Sequence, residues 1–319
     1  MTHRILPLAL ALTLCLAPAA PAADPQFITV GGGVGTFPIM AAKIADVINK
    51  EFPGVKASSI PGGSDLNLKN IQSGAAQVGL SISMTSYQGV NGIAHFPQPL
   101  DKVRHVMSLY RGYIHYVASA RSDIRSFADI AKRGYRVYVG KVGTLHHVLM
   151  TEMLKAQGIT PDDIRKAGGI PNPVAYSDVV RMLQDGQLDV AMLTGPVPYG
   201  MAMELAQSPG IRVLNASEEA RAKVIRALPG IGRATIPKGT YKGQDEDIQT
   251  VAYMSHLVAS RDLSEDFVYR LTAAMVKHMP DMRGLFAGAS EIRLETALLD
   301  NPIAVHPGAK RYYDEKGVK

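Results

Sequence analysis

Short runs rich in β-branched and apolar residues alternate along this chain with longer stretches whose apolar positions recur every three or four residues. The short runs predict strands over 27–31, 55–60, 77–83, 104–110, 114–119, 135–140, 188–194 and 251–259. The longer stretches predict helices over 37–50, 64–73, 126–133, 144–157, 177–185, 197–207, 217–227, 264–279 and 290–299. In the first helix Met40, Ile44, Val47 and Ile48 share one face, and Phe52-Pro53-Gly54 ends it; Leu145, Val148, Leu149 and Met153 do likewise before Gly158. Ser64, Ser126, Ser177 and Ser264 stand where an N-cap hydroxyl is wanted. Strands and helices alternating in this way predict an α/β fold.

The pattern repeats itself. V-G-G-G-V-G-T-F from Val30 and V-G-K-V-G-T-L from Val139 each follow an apolar strand and open a helix. Q-S-G-A-A-Q-V-G-L (72–80) and Q-D-G-Q-L-D-V-A-M (184–192) each end a helix and begin a strand. The offsets are 108 residues from Val34 to Val142 and 112 from Gln72 to Gln184, so two lobes built on one plan are expected. A third pair, H-Y-V-A-S at 115–119 and H-L-V-A-S at 256–260, is read as neighbouring strands at a hinge. The first lobe is then discontinuous, 24–119 with 217–319, and the second runs over 120–216.

Composition narrows the function. His3 and Arg4 precede an apolar run, Ile5 to Leu16, too short to span a membrane, and Ala20-Pro21-Ala22 has the shape of a signal-peptidase site. The expectation is an exported, periplasmic protein cleaved near Ala22 or Ala23. The single cysteine, Cys15, falls in that leader, so the mature chain has no thiol for disulfides, thiolate metal sites or nucleophilic catalysis. Removing 23 of 319 residues leaves 296, enough for two lobes with a core each. The net charge of +6 is scattered, with no basic block interleaved with aromatics; nucleic acid is a poor partner and a small anion a reasonable one. His146 and His147 are adjacent and diverge on a helix, His95, His105 and His115 lack metal spacing, and Gln244–Asp247 lacks the glycine of a calcium loop. There is no G-x-S-x-G elbow. No metal, no cofactor and no enzymatic activity are expected.

The glycine-rich loops carry the candidate chemistry. Gly35 is followed by Thr36 and Phe37, not by the Lys-Ser/Thr of a phosphate-binding Walker loop. A dinucleotide fingerprint beginning at Gly31 needs a third glycine at position 36, where Thr stands. What remains is a tight turn opening a helix whose free N–H groups and dipole favour an anion. Two such loops facing each other can grip one small acid from both sides. Ligands in open α/β sheets sit beyond the carboxyl ends of strands. That nominates Gly33, Val34, Gly35, Thr36 and Phe37 after the first strand, with Ser64 and Asn67 after the second. Ser83 and Tyr110 end later strands. The second lobe contributes Lys141, Gly143, Thr144 and Leu145, then Tyr176, then Thr194, Gly195 and Pro196. Ser64 also serves as a cap, and Tyr176 as packing, under a purely structural reading.

With these motifs in view, the chain resembles the TAXI-type substrate-binding proteins of TRAP transporters. The resemblance runs over essentially the whole mature chain. Its carriers are V-G-G-G-V-G-T-F, P-G-G-S-D-L-N-L-K-N-I-Q-S-G at 61–74, S-L-Y at 108–110, A-T-I-P-K-G-T-Y-K-G-Q-D-E-D-I-Q-T-V-A at 234–252 and P-I-A-V-H-P-G-A-K-R-Y-Y-D-E-K-G at 302–317. It implies a two-lobed periplasmic-binding fold of type II with a hinge and an interlobe cleft. It also implies a glutamate-like or dicarboxylate ligand delivered to TRAP-type permease subunits. The family's first loop reads G-S-T-G-G-T-Y where this chain has G-G-V-G-T-F, and its second reads G-P-P-G-S-G-T where this chain has Gly140 to His146 with a new Lys141. Hydroxyls are therefore fewer here. A monomeric transport receptor is the expected function, and a sensing subunit that docks on a membrane kinase is the alternative.

Overall fold

The computed structural model describes residues 24–33 and 35–319. The leader expected over 1–23 and the candidate ligand residue Val34 lie outside the described residues. In chain order the strands are β1 (Phe27–Gly31), β2 (Lys56–Ile60), β3 (Val78–Ile82), β4 (Val103–Ser119), β5 (Arg136–Tyr138), β6 (Ile170–Asn172), β7 (Val190–Gly195), β8 (Ile211–Val213), β9 (Ile231–Ile236) and β10 (Ile248–Ser260). They form one sheet in the order β2-β1-β3-β10-β4-β7-β5-β6, with β9 on β10 and β8 on β4.

The order repeats from the centre outward. On one side β10 pairs antiparallel with β3, then β3 with β1 and β1 with β2, both in parallel. On the other side β4 pairs antiparallel with β7, then β7 with β5 and β5 with β6, again in parallel. The two echoed loops follow equivalent strands, β1 and β5, and the second echo leads into equivalent strands, β3 and β7. The structure is thus two-lobed α/β, with a glycine loop at corresponding places in each lobe.

Each half has its own core. One cluster gathers Ile28, Ile44, Leu80, Met107, Leu257, Phe267 and Tyr313; the other gathers Tyr116, Val137, Leu149, Val190, Leu205, Val224 and Ile248. β4 passes from the first cluster to the second between Tyr110 and Ile114, and β10 passes back between Val251 and Leu257. These two long strands pair with each other, Tyr113 opposite Ala252 and Gly112 opposite Tyr253. The H-Y-V-A-S and H-L-V-A-S segments thus lie on neighbouring strands but do not pair with each other, contrary to expectation. Residues 252–260 pair with 103–113, while His115 lies beyond that register, opposite Leu193 of β7.

Several elements depart from the sequence expectation for identifiable reasons. The expected strands 104–110 and 114–119 are one strand, because the polar seam Arg111-Gly112-Tyr113 stays hydrogen-bonded to β10. β3 stops at Ile82, and Ser83 opens the helix Ser83–Asn91, a stretch with almost no apolar periodicity. The expected helix 290–299 is two short 3-10 turns, Ala287–Glu291 and Leu294–Thr296, and 126–133 contains only one, Phe127–Asp129. The helix expected from 197 begins at Gly200, after Pro196 and Pro198. Ser126 and Ser264 do cap their helices, whereas Ser64 is already inside its helix behind Gly63, and Ser177 lies within the turn Tyr176–Asp178. Strands β6, β8 and β9 and the polar helix Pro307–Lys316 carry too few apolar positions to have stood out.

One polar clamp fastens the second lobe. Asp189 accepts from the Arg136 backbone N–H at 2.8 Å, from Nε at 2.9 Å and from a terminal guanidinium nitrogen at 2.6 Å. It ties the start of β5 to the start of β7. Asp189→Ala should cost about 1–2 kcal/mol, because charge-assisted bonds are lost at a partly exposed site. The midpoint of urea unfolding measures this, and an unchanged midpoint would remove the clamp from the account.

Candidate functional site

A cavity of about 520 Å³ opens between the two cores, beyond the ends of the central strands. That is within the ordinary range for a small-molecule site. Four helices begin at its wall: Phe37–Glu51 and Ser64–Ser73 from the first lobe, Leu145–Ala156 and Gly200–Gln207 from the second. Each brings a positive dipole end, equivalent to roughly half an elementary charge, and first-turn N–H groups without an intrahelical partner, although Pro38 removes one of these from the first helix and Thr144 caps one in the third.

The largest side chains of the wall are aromatic: Phe37, Tyr110, Tyr176, Tyr199 and Tyr253. Tyr253 lies over Gly112, where a Cβ would come within 2.1 Å of the ring, and Tyr199 lies over Gly195, where the distance would be 2.5 Å. Neither ring has room for a methyl group beneath it, so both glycines are fixed by the site rather than by backbone strain. His146 stacks on Tyr176 with ring centres 3.9 Å apart, and its Nε2 is 3.2 Å from Thr194 Oγ1. The Tyr176 hydroxyl accepts from the Thr194 N–H at 3.0 Å. Across the cleft, Thr36 Oγ1 and the Tyr110 hydroxyl are 2.7 Å apart, with Phe286 edge-on to Tyr110.

Burial sets the charge state of this wall. It pushes the Tyr110 phenol up to about 12, against the smaller opposing effect of hydrogen bonds to Thr36 and Ser255. Tyr199 and Tyr253 are raised by the same loss of solvent. His146 is held down to about 4 by burial, so its imidazole is neutral at physiological pH.

The sequence-nominated residues divide. Gly35, Thr36, Phe37, Ser64, Tyr110, Leu145, Tyr176, Thr194, Gly195 and Pro196 line the cavity. Gly33 sits one step behind, and its missing side chain leaves room for the Phe37 ring. Asn67 does not reach the cleft. It is fully buried and donates to the carbonyls of Gly32 at 2.6 Å and Leu80 at 2.7 Å, so it staples the first glycine loop to β3. Ser83 is likewise structural, donating to the Gly230 carbonyl at 2.5 Å and accepting from the Met254 N–H at 2.9 Å. Lys141, Gly143 and Thr144 are exposed and outside the wall; Thr144 caps its helix, accepting from His147 N–H at 3.2 Å.

Sequence reasoning missed Ile82, Gly112, His146, Tyr199, Met201, Tyr253 and Ser255. His146 had been weighed only as a metal ligand. Tyr253 and Ser255 lie mid-strand on β10, where alternation gives only which face each residue shares, not what that face meets.

A family model described as NMT1-like matches residues 28–317. The chain belongs to the NMT1-like family. The periplasmic aliphatic sulphonate binding protein SsuA of Escherichia coli aligns with this NMT1-like chain at 15% identity and a TM-score of 0.50, over 91% of this chain and 79% of that one. A Xanthomonas citri protein solved with chloride bound aligns at 10% identity and a TM-score of 0.54, over 91% of this chain and 100% of that one. The same X. citri protein bound to ATP gives a TM-score of 0.52 at 10% identity, over 91% and 95% of the two chains. At such identities the likeness concerns the fold, which is that of the two-lobed periplasmic binding proteins. NMT1-like membership is coarser than the TAXI resemblance.

Proposed function

We propose that this NMT1-like protein is a periplasmic receptor that captures a small organic anion by closure of its two lobes and delivers it to a membrane permease of the TRAP type. The observation that carries the reading is the convergence of four helix N-termini on one cavity between two cores. Backbone N–H groups aimed at one point stabilise a bound negative charge without a counter-ion on a side chain. The sulphonate-binding E. coli neighbour and the chloride-bound X. citri neighbour handle anions on a similar frame. The residues that touch the ligand are the lining set, with the hydroxyls of Thr36, Ser64, Tyr110 and Thr194 supplementing the backbone.

The lobes in this reading are 24–113 with 252–319, and 114–251. The return crossing lies in β10 rather than at 216–217, since Ala220, Val224, Ile231 and Ile236 all pack in the second core. The leader is cleaved on export, and the mature protein works as a monomer.

Small-angle X-ray scattering with and without a panel of organic acids tests the reading. A binding acid should reduce the radius of gyration and raise the melting temperature, and Thr36→Ala should weaken that acid by roughly threefold to tenfold, the worth of one hydrogen bond. Ligand turnover, or binding without compaction, would overturn it.

A further inference from the structure

The same cavity carries information about which anion it accepts. Among the described residues that line it there is no Lys, Arg, Asp or Glu. The sole basic ring, His146, is stacked on Tyr176 and faces Thr194. Positive potential is therefore confined to the helix ends, while the large side chains of the wall are chiefly Tyr, Phe, Ile, Leu and Met.

A ligand must match that division. One negative group is satisfied by backbone N–H donors and hydroxyls. A second carboxylate would have to leave water for a largely apolar wall with no cation to meet it. An α-ammonium would find no carboxylate and would stand near four positive dipole ends. An apolar body, in contrast, gains by burial against the rings.

We infer that the receptor takes a singly charged organic anion with an aromatic or bulky apolar body, and discriminates against dicarboxylates and acidic amino acids. This rests on the receptor reading and narrows it. The glutamate-like and dicarboxylate ligands implied by the TAXI resemblance are thereby disfavoured for this chain.

The test is titration calorimetry on the purified protein, stripped of bound ligand by unfolding and refolding. The probes are 3-phenylpropionate, benzenesulfonate, succinate, L-glutamate, 3-phenylpropionamide and choline. At least one aromatic monoanion should bind tenfold or more tightly than succinate and glutamate, and the neutral amide should bind tenfold or more weakly than its acid. Met201, half-exposed at the second lobe's edge of the cavity, offers a complementary variant. Met201→Lys supplies the missing cation and should raise succinate affinity at least fivefold. Succinate or glutamate matching the aromatic acids would overturn the inference while leaving the receptor reading intact. Equal binding of the amide, or binding of choline in place of the acids, would overturn the inference through its anion requirement. Binding by no anion at all would overturn both.

Discussion

Replacing Asn67 with alanine should destabilise the protein by about 3 kcal/mol, the largest loss expected from any single change near the cleft. The side chain is fully buried, and its amide satisfies the carbonyls of Gly32 and Leu80. Removing it strands two buried acceptors and leaves a small void, each worth about 1–2 kcal/mol, offset in part because the buried Oδ1, which has no hydrogen-bond partner, goes with it. For a chain of this size the melting temperature should fall by roughly 6–12 °C. Asn49 is the natural control. It also bridges backbone, donating to the Ala57 carbonyl at 2.9 Å and accepting from the Ala57 N–H at 2.8 Å, but it is exposed. Asn49→Ala should therefore cost well under half as much, because water replaces the lost partners. The glycines around Asn67 predict the same dependence from the other side. A Cβ on Gly31 or Gly62 would come within 2.4 or 2.1 Å of Asn67 Oδ1. Equal melting shifts for the two asparagine variants would show that burial is not what makes the staple matter.

Mild acid should unfold the first lobe through a pair of buried histidines. His105 and His256 are both fully buried, with Nδ1 atoms 3.1 Å apart. His105 Nε2 faces the Ala297 carbonyl at 2.9 Å and so carries a proton, which leaves its Nδ1 to accept from His256. His256 Nε2 lies 2.7 Å from the Ser86 hydroxyl, which also donates to Ser81 Oγ at 3.0 Å. Both rings are neutral in this chain of bonds, and a proton added to His105 Nδ1 sets N–H against N–H across the 3.1 Å contact. Burial lowers His105 to about 4 and pushes His256 well down, with its neighbour adding a smaller effect. The folded state thus binds fewer protons than the unfolded chain wherever the unfolded rings, near pH 6.5, are charged. Stability is full above about pH 6.5 and falls as the pH drops towards 4, by about 3 kcal/mol from His105 alone. Melting temperatures across pH 7.5 to 4.5 would read this slope. His256→Gln, which cannot take a proton, should flatten it even if it lowers stability at pH 7.5. A slope unchanged in that variant would assign acid sensitivity to other groups.

How legible these features were depends on where each signal resides. The helix Ser64–Ser73 and strand β1 were read to the residue, since a local apolar period and flanking glycines determine both. The repeated loops were found as strings, and they do occupy equivalent places in the sheet. Asn67, in contrast, was nominated for the right chemistry in the wrong role. A carboxamide after a strand suits a ligand or a backbone equally, and the choice is made by Gly31, Gly62 and Gly79 closing around it. Lys141 was nominated by its charge, yet the loop carries it outward. Tyr253 of β10 is not legible in the sequence because its face is defined by Gly112 of β4, 141 residues earlier (253 − 112).

The pairing of β4 with β10 has a mechanical consequence. Both passages of the chain between the cores run side by side in one ladder, through Gly112 and Tyr253. Sliding one half past the other would shear backbone hydrogen bonds, whereas bending and twisting the ribbon keeps them. The relative motion of the halves is therefore confined to bending and twisting of that ribbon, and the aromatic ring seated on it moves along.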